Sequence, residues 1–114
     1  MDPSRARELL DQEHARLREL EASVRHDERD ERSPEPSLWA DGAESEVEQE
    51  TSEALAELLR VRRDALARAE SRLAAGTYGQ SVRSGEPISD ARLEAEPLAE
   101  LTVEEAAQDQ RSAR

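Results

Sequence analysis

The sequence contains no cysteine, no phenylalanine and no lysine. Without cysteine, disulfides, thiol catalysis and thiolate metal sites are excluded. Aromatic residues make up 2% of the chain, Trp39 and Tyr78, so there is no stacking platform for single-stranded nucleic acid. No apolar run approaches the eighteen or so residues of a membrane span, and the opening Met-Asp-Pro-Ser-Arg does not read as a signal peptide. The default expectation is a cytoplasmic protein with no membrane attachment. Positive charge is also scarce. The cations number 16, all arginine, against 28 acids, a net charge of −12 and a pI near 4.6. Such a chain repels phosphate backbones and anionic lipid, which argues against direct DNA binding.

Within these 114 residues, one domain's worth, two compositional signals conflict. Leucine, isoleucine and valine total only about 17% of the chain, which with high net charge is the mark of disorder. Alanine, glutamate, leucine and arginine total about 59%, the mark of long or coiled-coil helices. Periodicity decides for helices. Ala6, Leu10, Leu17, Leu20 and Val24 follow a three-four spacing whose only polar member is Glu13, with Leu9 beside it. Asp2 is a good N-cap and Pro3 suits a first helical position, so a helix is predicted from about Pro3 to the high twenties. Ser33-Pro34-Glu35-Pro36 ends it.

A second helix is predicted from near Glu44 to Ala75, a rod of roughly 45–50 Å. Leu55, Leu59, Leu66, Ala69 and Leu73 form its seam, broken by Arg62 and widened by Leu58 and Val61, and Gly76 reads as the residue just past its end. Neither narrow seam is stable alone. The economical solution is an antiparallel helical hairpin over residues 1–75, each seam burying the other, with a tip near residues 33–43. Residues 77–89 read as loop or short strand. A short helix is predicted over Ser89–Ala95, ended by Pro97. Thr102-Val103-Glu104-Glu105 matches a capping box and starts a last short helix that frays after Gln108.

Charge is polarised along the second helix. Asp41 to Leu59 holds seven acids and no cation. Arg60 to Arg72 holds five arginines against Asp64 and Glu70. That order complements the helix dipole and aids solubility. It also fits an acidic tip with a basic shaft built to enter an electropositive or metal-containing site. Trp39 reads either as a cap over the hairpin end or as an exposed aromatic anchor. Tyr78 reads as core rather than contact.

Gly76, Tyr78, Gly79, Gly85 and Ile88, followed by Arg92, Leu93, Ala95, Pro97 and Ala99, stand in the register of G-x-[YF]-G-x-C-x-x-C-G-x-x-I and R-L-x-A-x-P-x-A. On these residues the chain resembles the DksA/TraR zinc-finger family, specifically over about residues 55–105. The four zinc positions fall on Ser81, Ser84, Thr102 and Glu105, none of them cysteine. Structural zinc needs thiolate or imidazole donors, and His14 and His26 lie far from this stretch in sequence. The resemblance therefore implies a mainly α fold: the hairpin, a small zinc-finger-like module without metal over residues 76–114, and a short C-terminal helix. No cofactor is expected. Tyr78, Ile88, Leu93, Leu98, Leu101 and Val103 are the expected core of the module, with Arg83 or Arg92 as alternative partners for Glu105.

The resemblance further implies a bacterial transcription regulator that binds RNA polymerase by inserting its coiled-coil tip into the enzyme's secondary channel, without touching DNA. The family's tip pattern is D-x-x-D-x-A. Here Leu38-Trp39-Ala40-Asp41-Gly42-Ala43 keeps Asp41 and Ala43 and replaces the first acid by Leu38. Asp41, Ala43 and Trp39 are thus the expected tip, and Arg60, Arg62, Arg63 and Arg68 the expected shaft contacts. The alternative is a coiled-coil scaffold or assembly protein that has lost polymerase regulation. An enzyme is not expected, because no nucleophile–base pair or phosphate-binding loop is present. A monomer is the default state, with pairing through leftover seam left open.

Overall fold

A computed structural model describes the backbone of residues 1–31 and 42–112 and the side chains of residues 1–24 and 50–112. Four helices follow in order, α1 (Pro3–Glu31), α2 (Gly42–Ala75), α3 (Asp90–Ala95) and α4 (Val103–Ser112). The architecture is mainly helical, with α1 and α2 packed as a hairpin and two short helices after it. Two ion pairs between α1 and α2 set the antiparallel sense: Arg7 bonds Glu70, and Arg63 bonds Glu21. As position rises on one helix it falls on the other.

The chain divides into two compact units, one of residues 1–14 with 65–114, the other of residues 15–64. In the first, Ala6, Leu9 and Leu10 of α1 and Leu66 and Ala69 of α2 are buried. Ile88, Leu93 and Ala99 form its second apolar cluster, with Met1 and Tyr78 packed against them. Val103 belongs to neither. It opens α4 as the residue after the cap and is exposed, which corrects its expected place in the core. Leu98 is buried as expected, and Leu101 is partly buried.

The second unit is thinner. Leu17 and Leu59 are buried, but Leu20, Leu55, Leu58 and Val61 are exposed, Leu58 by 60%. A pair of helices covers one narrow stripe on each partner, so side chains flanking that stripe stay in water. Leu58 and Val61 therefore do not widen the seam, and Leu20 and Leu55 fall at its edge.

Helix ends follow local chemistry. Gly76, at φ 79°, ends α2: its N–H donates to the Leu73 carbonyl at 3.2 Å and that of Thr77 to the Arg72 carbonyl at 2.8 Å. These two bonds make a Schellman motif, whose left-handed residue glycine adopts without a Cβ penalty. Ser89 caps α3, its hydroxyl accepting from the Arg92 N–H at 3.2 Å. Helix α2 begins at Gly42, ahead of the expected Glu44, and α4 holds to Ser112 rather than fraying after Gln108. Arg83 bonds Asp109 on the following turns of α4, an attachment that sequence spacing did not reveal.

Candidate functional site

Between α2 and α3 the backbone makes a tight knuckle. Gln80 and Pro87 form an antiparallel bridge, and the Ser81 N–H donates to the Glu86 carbonyl at 2.8 Å. Gly79, at φ 86°, turns the chain into this knuckle, and the Ile88 N–H donates to its carbonyl at 2.7 Å. The loop folds its N–H groups around one oxygen. Ser81 Oγ accepts from the N–H of Arg83 at 3.1 Å and of Ser84 at 3.2 Å, and donates to Glu105 Oε2 at 3.0 Å. A hydroxyl has one proton and two lone pairs, so Ser81, buried, is fully satisfied.

Glu105 ties this knuckle to α4. Its Oε1 accepts from the Thr102 N–H at 3.0 Å, while the Glu105 N–H donates to Thr102 Oγ1 at 3.2 Å. This is a reciprocal capping box, as the sequence predicts, and it removes two orphan N–H groups from the helix start. The hydrogen bonds from Ser81 and from the Thr102 backbone hold the Glu105 carboxyl at about 2, well below its ordinary range. Neither Arg83 nor Arg92 pairs with it. Arg83 reaches Asp109 at 2.8 Å instead, and Arg92 Nε donates to the Leu101 carbonyl at 2.9 Å. Glu105 has both oxygens engaged by neutral donors, so it stays ionised without an arginine. Around this centre, the Tyr78 hydroxyl donates to the Pro97 carbonyl at 2.8 Å, and burial pushes that hydroxyl's pKa up.

A solved structure is similar in fold along the chain. The transcription factor DksA2 from Pseudomonas aeruginosa aligns over 100% of this chain and 90% of its own, at 30% identity and a TM-score of 0.77. The chain belongs to the DksA family. No family model and no curated protein matches it. DksA-family transcription factors are not enzymes, in agreement with the expectation from sequence.

The four positions that the sequence resemblance matches to zinc-binding cysteine lie close together. Glu105 bonds directly to both Ser81 and Thr102, and the Ser84 N–H donates to Ser81 Oγ. These residues do not fit a structural zinc. Three offer neutral hydroxyls, the Ser81 oxygen has no lone pair to spare, and both Glu105 oxygens already accept hydrogen bonds. Among the described residues no group of three or more histidine, cysteine, aspartate or glutamate side chains is arranged to hold a metal ion. In this chain hydrogen bonds close the knuckle.

The four shaft arginines lie on α2. Arg60 pairs with Glu57 and Asp64, and Arg63 with Glu21. Arg68 pairs with Glu100 at 2.9 Å, and Arg62 is half-buried with a polar interaction of its own. These ion pairs are largely solvent-exposed and worth little individually. Sequence reasoning passed over Arg72. Its side chain is mostly buried, with Nη1 3.9 Å from Glu100 and with Nε and Nη2 unpartnered. Trp39 and Asp41 lie outside the described residues, and Ala43 is described only as part of the α2 backbone.

Proposed function

We propose that this protein is a bacterial, cytoplasmic transcription regulator that binds RNA polymerase directly and acts by inserting its hairpin tip into the secondary channel. The full-length likeness to a DksA-family transcription factor carries the reading. In this reading the helical hairpin, residues 1–75, is the insert, and residues 76–114 are the module that follows it. The net charge of −12 fits a protein that works on the enzyme rather than on DNA. Among the described residues no helix is long and apolar enough to cross a membrane.

In this reading Asp41 is the tip acid, because a carboxylate brought near a catalytic magnesium perturbs the ion or its ligands. Ala43 and Trp39 flank it, and Arg60, Arg62, Arg63 and Arg68 pair with acids at the channel rim. Rim contacts set affinity and its salt dependence, whereas the tip sets the outcome. The test is binding and run-off transcription with purified polymerase. Asp41→Asn is expected to bind like the parent and lose most of the transcriptional effect. Arg62→Glu with Arg63→Glu is expected to weaken binding at least tenfold, a loss of about 1.4 kcal/mol. A parent chain that neither binds polymerase nor alters transcription overturns the proposal and leaves the scaffold reading.

A further inference from the structure

The exposed side of α2 in the thinner unit has an ordered pattern. Ala54, Leu58 and Val61 follow a four-three spacing that continues to Ala65, the repeat of a coiled-coil seam. It is distinct from the buried seam that carries Leu59 and Leu66. Leu58 and Val61 are 60% and 50% exposed, and Ala54 is exposed. Eleven residues make close to three helical turns, so Leu58 and Val61 lie on the same side of α2 as Ala69 and Arg72. Ala69 is fully buried and Arg72 mostly so. One side of one helix is thus covered along part of its length and bare along the rest.

We infer that a second copy of this chain covers the bare stretch, with the two α2 helices antiparallel. Charge selects that occupant. Within the short stretch around the midpoint of Leu58 and Val61, Glu53 and Glu57 precede that point with no cation, and Arg60, Arg62 and Arg63 follow it against Asp64. Centred between Leu58 and Val61, an antiparallel copy sets each acidic half beside the other's basic half, while a parallel copy sets like on like. In this register Leu58 meets the partner's Val61 and Ala54 the partner's Ala65. The contact is isologous, as a two-fold dimer requires. It is also short. Fifteen residues or so of helix span roughly 22 Å, too little to reach the about 1,200 Å² of a stable interface, and each chain carries −12. The dimer is weak and forms only at high protein concentration.

Sedimentation equilibrium of the purified chain, with no polymerase present, tests this independently of the proposed function. From about 10 μM to about 1 mM the weight-average mass is expected to climb from that of the monomer toward twice that value. Leu58→Glu alters an exposed position, so helicity by circular dichroism is expected to stay at the parent level while the climb is lost. Monomer mass throughout, or a climb that Leu58→Glu leaves intact, overturns the inference. The absence of native cysteine allows a test of direction. Mixed Ala54→Cys and Ala65→Cys chains are expected to oxidise mainly to the mixed disulfide. Disulfides formed preferentially by each variant with itself mean parallel pairing and overturn it as well.

Discussion

Leu9 and Leu20 sit eleven residues apart on the same side of α1, yet Leu9 is 3% exposed and Leu20 47%. On α2 the same interval separates Ala69, at 0%, from Leu58, at 60%. In each pair the buried member belongs to the unit of residues 1–14 and 65–114, and the exposed member to the unit of residues 15–64. The first unit has the knuckle, α3 and α4 in addition to its helical segments, and the second has helical segments alone among its described residues. Burial of an apolar residue on a helix is thus set by how many elements share its unit, because one helix covers only a narrow stripe of another. The thin unit leaves apolar surface for something outside the chain.

The sharpest way to break this comparison is to truncate leucines on both sides of it. Leu10→Ala and Leu93→Ala each remove a fully buried side chain from the first unit and are expected to cost about 2–5 kcal/mol in denaturant unfolding. Leu17→Ala and Leu59→Ala, buried in the thinner unit with fewer surroundings to leave a cavity in, are expected near the lower end of that range. Leu58→Ala, measured at low protein concentration, is expected to stay within about 0.5 kcal/mol of the parent. If Leu58→Ala costs as much as Leu93→Ala, the contrast between the units is wrong.

A smaller effect tests the hydrogen-bonded knuckle. Thr102→Ala removes the oxygen that caps α4 and is expected to cost about 1 kcal/mol. Glu105 adds a pH dependence. Its carboxyl is held at about 2 against an ordinary 4.5, so its stabilising contribution is complete above pH 4.5. That contribution fades as the pH falls from there through about 2. Urea midpoints of the parent are expected to drop across this window, and those of Glu105→Gln to drop less, from a lower starting value. Equal slopes for the two proteins mean that other carboxylates dominate the acid limb.

The smallest expected effect is none. The donor set at Ser81, Ser84, Thr102 and Glu105 does not suit zinc, so circular dichroism and melting before and after EDTA are expected to superimpose. A chelator-sensitive transition overturns the hydrogen-bonded account of the knuckle and would move the comparison from packing to metal.

Elements governed by neighbours in sequence were legible in advance. Pro3 opens α1 through its fixed φ, and Gly76 and the Thr102–Glu105 pair mark helix ends through bonds that span five residues or fewer, as expected. The three-four spacing of leucines announced the hairpin for the same reason, and ten residues in register announced the family. Which seam positions are buried was not legible. Leu9 and Leu20 share a side of one helix and differ only in what else the fold brings beside them. The partner of Glu105 was hidden likewise: formal charge suggested an arginine, but the knuckle placed the Ser81 hydroxyl there, 24 residues away along the chain. Local periodicity and capping specify where helices start, stop and turn an apolar side. Only the tertiary structure decides which of those sides find cover, because cover comes from residues remote in sequence and is shared unequally along each helix.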